Sequence, residues 1–175
     1  MNRRAKSTPR AEKVLYPNVK IALATYLQQL DSHIEIMLEI TADKFPENVK
    51  PLIPDNVLFL LDNKETRPDL FGEIGPDCTL FYGQSKFVLT VEVKDGSPTI
   101  NDVFQAKKYG ELYSAPVALL ISTELPEERL QRLLNQRPDI LAYSGAYRRL
   151  YLCRYSGSTR TIDWWFENRE PRIKK

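Results

Sequence analysis

The stretch "KFVLTVEVKDG", from Lys86 to Gly96, constrains the fold more than any other part of this sequence. Its apolar first half predicts a buried strand, and side chains two residues apart on a strand share a face. Val91 and Val93 therefore face one side, whereas Glu92 and Lys94 face the other. A solvated face with an ion pair is the ordinary explanation for such charges. A functional site is the alternative, and the surrounding sequence has to distinguish the two.

Composition is typical of one soluble domain, since 42% of the 175 residues are hydrophobic and 27% are charged. No apolar run approaches the roughly 20 residues of a membrane span, and "MNRRAKSTPR" lacks the apolar stretch of a secretory signal. We therefore expect a cytoplasmic protein that does not associate with membranes. Cys78 and Cys153 have no Cys or His neighbours at ligand spacing, which indicates buried free thiols rather than zinc or a disulfide.

The pattern along the chain predicts a single domain, 1–175, in three parts. Residues 1–16 are expected to form a flexible basic arm, residues 17–122 the core, and residues 123–175 additions at the carboxyl end. Apolar residues at helical spacing predict one long helix from Asn18 to about Lys44, after Pro17. The additions are expected to comprise a helix over "TELPEERLQRLLNQR" and a hairpin around "SGST".

Within the predicted core, three strands precede a second helix and a buried strand. The strands are "VLFLLD", "CTLFY" and "KFVLTVEVK", and the last two form a hairpin around "GQS". The segment from Thr99 to Ser114 predicts the helix, and "VALLIS" is a continuous apolar strand. The order is helix, three strands, helix and strand, which predicts an α/β fold with a mixed sheet flanked by helices.

A hairpin that turns at Gln84 and Ser85 would place Asp77 opposite Glu92. Two carboxylates within about 5 Å repel each other, and a divalent cation is a natural reason to tolerate them. Magnesium suits hard oxygen ligands and makes its bound water a better nucleophile. Lys94, on the same face, could orient that water or stabilise charge on a phosphate. These residues therefore predict a magnesium site, at which manganese could substitute.

The pair Pro76-Asp77 followed by Glu92-Val93-Lys94 resembles the PD-(D/E)xK motif of the restriction-endonuclease-like nucleases. That resemblance implies an αβββαβ core, which agrees with the predicted order of elements. In "QAKKY", Gln105 and Tyr109 resemble the QxxxY element of the RecB-like and related branches of the superfamily. The two residues are four apart and share a helix face.

The identity of the motif acid stays open between two Pro-Asp pairs. Asp69, in "RPDL", is similar to the family pattern, but pairing it with Glu92 places a poor turn at Leu80 and Phe81 unless "PDCTLFYGQS" is an insertion. The turn chemistry favours Asp77.

Many members of the family contribute a glutamate from the first helix, which implies Glu39 or Glu35 here. We favour Glu39 because it is nearer the end of the helix that leads into the sheet. The expected catalytic set is then Asp77, Glu92, Lys94, Gln105 and Tyr109 with Asp69 and Glu39, and the metal ligands are Asp77, Glu92, Glu39 and Asp69.

The resemblance implies a magnesium-dependent nuclease that hydrolyses phosphodiester bonds in DNA. A catalytically inactive module with the same fold, which binds nucleic acid or a protein, is the alternative. A homodimer is one arrangement that would let such an enzyme cut both strands of a duplex.

Overall fold

A mixed sheet of six strands forms the centre of the computed structural model, which describes residues 9–30, 32–75, 87–143 and 149–166. The strands are β1 (Glu35–Ile40), β2 (Leu70–Gly75), β3 (Phe87–Lys94), β4 (Val117–Ser122), β5 (Arg149–Ser156) and β6 (Thr161–Trp165). The helices are α1 (Pro9–Leu30), α2 (Ile100–Leu112) and α3 (Glu128–Gln136). The predicted α/β class with a mixed sheet and flanking helices is confirmed.

The strands lie in the sheet in the same order as in the chain. The β1–β2, β2–β3 and β5–β6 pairs are antiparallel, while β3, β4 and β5 run parallel to one another. The change of direction follows from α2 and α3, because parallel neighbours need a crossover connection and a helix usually provides it. The carboxyl ends of β3 and β4 are therefore adjacent, with Lys94 opposite Ser122.

Alternation along β3 and β4 separates two hydrophobic clusters. Val91 and Val93 pack with Leu119 and Ile121 in the cluster that includes Leu23 of α1, along with other apolar residues of that helix. The other cluster joins alternate residues of β4 and β5 to residues of α2 and α3; its members include Ala118, Leu120, Leu150, Leu152, Val103, Ala106, Leu130 and Leu134. Because helices cover both faces, all six residues of "VALLIS" are buried.

The first predicted helix is wrong in both its start and its end. α1 begins at Pro9, continues through Pro17 and ends at Leu30, so residues 9–16 belong to a helix rather than to a flexible arm. Residues 35–40 form β1, which pairs with β2. "EIMLEI" is short enough to fit either helical or strand periodicity, and pairing with β2 decides the matter.

The predictions for the next two strands also differ from the structure. Asp55–Asp62, which contains "VLFLLD", forms a 3-10 helix, and β2 (Leu70–Gly75) comes from the segment between the two predicted strands "VLFLLD" and "CTLFY". "CTLFY" lies outside the described residues.

Elements from β3 onward follow the sequence prediction. β3, α2, β4 and α3 form where the sequence predicts them, and β5 and β6 form the expected terminal hairpin. Cys153 is a buried free thiol, as predicted, while Cys78 lies outside the described residues. No helix in the described part of the chain has both the length and the apolar character needed to cross a membrane.

Candidate active site

Glu92 and Lys94 lie together at the carboxyl end of β3. Lys94 Nζ is 2.8 Å from Glu92 Oε1. The Glu92 side chain is only 2% exposed and that of Lys94 only 16%. The structure therefore excludes a solvated strand face, and the Glu92 carboxyl and Lys94 ammonium groups are held together in the interior at the end of β3.

Asp69 precedes β2 and is also buried. Its Oδ1 accepts a hydrogen bond of 2.6 Å from the Tyr16 hydroxyl, and its Oδ2 accepts one of 2.8 Å from the backbone N–H of Val93. Because the Val93 amide lies between Glu92 and Lys94, this second bond ties Asp69 directly to the charged end of β3.

The register of β2 against β3 differs from the predicted one. Leu70 is opposite Val91, and one further step along both strands makes Asp69 the neighbour of Glu92. Pairing Asp77 with Glu92 is therefore wrong, since β2 is drawn from an earlier segment than the turn chemistry suggested. Asp77 itself lies outside the described residues.

Glu39 and Glu35 lie on β1 and not on a helix, so that expectation is wrong. Glu39 accepts hydrogen bonds from Lys20 Nζ at 2.7 Å and Asn48 Nδ2 at 3.1 Å. The bond from Lys20 lowers the pKa of Glu39. β2 separates β1 from β3, and the structure does not bring Glu39 into the cleft that Glu92 and Lys94 line.

The first helix does contribute a glutamate, but it is Glu12. Glu12 Oε1 is 3.8 Å from Lys94 Nζ, and both residues line the same cleft. Sequence reasoning missed Glu12 and Tyr16 because it assigned both to the flexible arm. The helical spacing of apolar residues that predicts a helix from Asn18 extends back through Tyr16, and this extension is the signal for an earlier helix start.

Helix α2 forms one wall of the cleft and presents both residues of the predicted QxxxY element. Gln105 Nε2 donates a hydrogen bond of 3.1 Å to the Tyr109 hydroxyl. A capping box between Thr99 and Asp102 holds the start of the helix. Asp102 Oδ1 lies 3.7 Å from Lys94 Nζ, so the capping acid also adds negative charge beside the lysine.

Burial raises the pKa values of both carboxyl groups, Glu92 and Asp69. Burial, and then the charge of Asp69, raises the pKa of Glu92 to about 8. Burial also raises the pKa of Asp69, although its hydrogen bonds from Tyr16 and Val93 oppose the shift. Two buried carboxylates with raised pKa values indicate a site that favours a bound proton or a cation near neutral pH.

Burial and neighbouring charges have opposite effects on the pKa of Lys94. Burial by itself lowers the pKa of an ammonium group, but the surrounding carboxylates Glu92, Glu12 and Asp102 raise the pKa of Lys94 above its ordinary value. The lysine is therefore a fixed positive charge at neutral pH in this structure.

These side chains open into a cleft of about 630 Å³. Asp69, Glu92 and Lys94 line it together with Gln105 and Tyr109 of α2. Exposed cations also line it, namely Lys13, Lys64 and Lys108. The cleft thus combines a buried acidic centre with exposed positive charge, which suits a ligand that carries phosphate groups.

Within the part of the chain that the structure describes, no group of three or more His, Cys, Asp or Glu side chains is placed to hold a metal ion. A magnesium site does not require such a cage. Magnesium is commonly held by one or two carboxylates and completes its coordination with waters and substrate phosphates. The adjacent pair Asp69 and Glu92 fits that donor set.

Comparisons of this chain with protein-family models, with curated proteins and with solved structures found no match.

Proposed function

We propose that this protein is a metal-dependent nuclease that hydrolyses phosphodiester bonds in DNA. The observation that carries the proposal is a pair of buried carboxyl groups, Asp69 just before β2 and Glu92 on β3, with the Lys94 ammonium 2.8 Å from Glu92 in an open cleft. Burial of like charges is costly, and active sites are where such costs are commonly found.

The order of elements supports a restriction-endonuclease-like fold. The chain runs α1, β1, β2, β3, α2 and β4, which is the αβββαβ order of that superfamily. In this proposal, Pro68-Asp69 and Glu92-Val93-Lys94, which the register of β2 against β3 makes neighbours, would form the PD-(D/E)xK motif. Gln105 and Tyr109 follow on α2 in the place of the QxxxY element.

Asp69 and Glu92 would hold the magnesium or manganese ion. The metal, when bound, would lower the pKa of the attacking water and neutralise charge on the phosphate. Tyr16 and the Val93 amide fix both oxygens of Asp69, so its carboxylate is oriented before any substrate binds. Gln105 and Tyr109 line the wall and can hydrogen bond to the scissile strand.

Lys94 acts on the phosphate as a positive charge in this proposal. Three carboxylates lie within 4 Å of its ammonium group and favour its protonated form. A protonated lysine cannot accept a proton from water, so electrostatic stabilisation of the pentavalent phosphate is the role that this environment favours over general-base catalysis.

The direct test is incubation of the purified protein with linear, nicked, branched and single-stranded DNA in magnesium or manganese. Glu92→Ala should abolish cleavage while circular dichroism shows that the fold persists. Glu111→Ala, which removes an exposed carboxylate from α2, is the matched control and should cleave normally. Cleavage by Glu92→Ala at the unsubstituted rate would refute the assignment of the site.

The observed register also ranks the two Pro-Asp candidates. Asp69→Asn should lose cleavage, because it weakens a metal ligand that Tyr16 and Val93 hold in place. Asp77→Asn should retain activity. The opposite pattern would return the motif acid to Asp77 and leave the family proposal intact.

The close contact between Glu92 and Lys94 also supports a second function, that of a binding module without catalytic turnover. Such a module needs no metal, because the lysine already compensates for one carboxylate. Thermal melting with and without millimolar magnesium separates the two, since only a metal-binding site should gain stability. Nucleic-acid binding without metal stabilisation or cleavage would favour the module.

A further inference from the structure

Phe104 is an exposed aromatic residue in the wall of the charged cleft. Its side chain is 51% exposed, and it lines the cleft with Gln105 and Tyr109. Leaving an aromatic ring in water forfeits the free energy that its burial would provide. Its neighbours on α2, Val103 and Ala106, are buried in the core, so the helix cannot rotate to bury Phe104 instead.

The ring lies beside groups that can bind a nucleic-acid backbone. Lys108 is four residues further along α2 and therefore shares a helix face with Phe104. Its ammonium group donates a hydrogen bond of 2.7 Å to the backbone carbonyl of Glu65, which belongs to the neighbouring wall of the cleft. Lys64 adds positive charge to the same cleft, as does Lys13, whose ammonium group is paired with Asp43.

The α2 wall of the cleft therefore has a buried part and a solvent-exposed part. Gln105 and Tyr109 are partly or fully buried and hydrogen bonded to each other, whereas Phe104 and Lys108 are exposed. An exposed aromatic face beside exposed cations is the arrangement with which proteins bind single-stranded nucleic acids, since bases stack on the ring while cations follow the phosphates.

We propose that Phe104 is a stacking platform for an unpaired base of the bound nucleic acid, with Lys108 beside it contacting the backbone. In the interior of a duplex, each base already stacks on its neighbours and cannot offer a face to the ring. The cleft therefore prefers single-stranded DNA or a locally unpaired strand. This inference rests on the proposed function for the class of ligand and adds the structure of the substrate.

The test measures binding without cleavage. Glu92→Gln serves as the parent, and fluorescence anisotropy reports binding of a labelled single-stranded oligonucleotide, of a duplex of the same sequence and of an abasic strand with the same phosphates. Phe104→Ala and Phe104→Trp are made in the parent. The matched control is Phe59→Ala, because Phe59 is 73% exposed and does not line this cleft.

Phe104→Ala should weaken binding of the single strand by about 5- to 150-fold, the range expected for the loss of one base stack. Binding of the abasic strand should change less than twofold, Phe104→Trp should bind the single strand at least as tightly as the parent, and Phe59→Ala should bind normally. Equal losses on the base-bearing and abasic strands, or no loss on either, would overturn the inference.

The two proposals fail separately. Hydrolysis is tested by cleavage with the unsubstituted protein in magnesium, whereas stacking is tested by the dependence of binding on the base. Base-dependent binding without cleavage by the unsubstituted protein would refute the nuclease and support the platform. Cleavage that prefers duplex over single strands, with no effect of Phe104→Ala, would refute the platform alone.

Discussion

Replacing Glu92 by glutamine should make the protein more stable at alkaline pH. Glutamine has nearly the same shape as the protonated glutamic acid but carries no charge at any pH. Because the Glu92 side chain is buried beside Asp69, its ionisation has a cost that the glutamine variant avoids. The difference in stability between the two proteins should therefore depend on pH.

The sign and size of the effect follow from the pKa of Glu92, which is raised from 4.5 to about 8. Between these values the folded protein holds a proton that the unfolded chain releases, so the free energy of unfolding falls as pH rises. A shift of this size corresponds to a loss of about 4 to 5 kcal/mol in the free energy of unfolding; the loss is absent below pH 4.5 and complete above pH 8. That is a large part of the 5–15 kcal/mol typical of a domain.

Urea denaturation at pH 5, 6.5, 8 and 9 measures the difference, with fluorescence of the buried Trp165 as the probe. Glu92→Gln should resemble the unsubstituted protein at pH 5 and exceed it by several kcal/mol at pH 9. Glu111→Gln, at an exposed site on α2, is the control and should follow the unsubstituted protein throughout. A difference that is the same at every pH would refute the reasoning.

Magnesium adds a second comparison at pH 9. A cation at Asp69 and Glu92 offsets the repulsion between the carboxylates, so it should restore much of the stability that the unsubstituted protein loses. Glu92→Gln lacks one ligand and should respond less. Equal stabilisation of both proteins would show that magnesium binds elsewhere.

Three further predictions concern the strands around the site. Lys94→Ala and Lys94→Arg should both lose most cleavage while retaining DNA binding. The alanine variant lacks the positive charge, and the larger guanidinium of the arginine variant does not fit a side-chain site that is 16% exposed. Near-normal turnover by the arginine variant would contradict this prediction and would also exclude Lys94 as a general base. Gly72→Ala should cost about 3 kcal/mol or more in urea denaturation, since the added Cβ would lie 2.1 Å from the Met37 carbonyl oxygen, whereas Gly157→Ala meets nothing within 4 Å. Thr90→Val should be neutral or stabilise by about 1 kcal/mol, because the buried Thr90 hydroxyl has no hydrogen-bond partner among the described residues; a loss above about 1 kcal/mol would contradict this.

The local sequence was sufficient to predict those elements whose residue pattern fits only one type of secondary structure. The alternation in β3 predicted that Glu92 and Lys94 share a face, and the unbroken apolar run "VALLIS" predicted a strand buried on both sides. The four-residue spacing of Gln105 and Tyr109 predicted their proximity on α2. In each case the relevant contacts lie within one element, or follow from its periodicity, so no knowledge of distant segments was needed.

Tertiary structure decided the features that depend on which segments pair. "EIMLEI" became β1 because β2 offers it an antiparallel partner, and β2 formed from Leu70–Gly75, although local turn chemistry favoured a tighter hairpin. That register makes Asp69 the neighbour of Glu92.

Glu12 also approaches Lys94 from a distant segment. It lies on α1, whose first turns have the local composition of a charged, flexible arm. The free energy that places these groups comes from burying the faces of the sheet against the helices. Because this burial joins segments that are far apart in the chain, the sequence of one element alone does not reveal it.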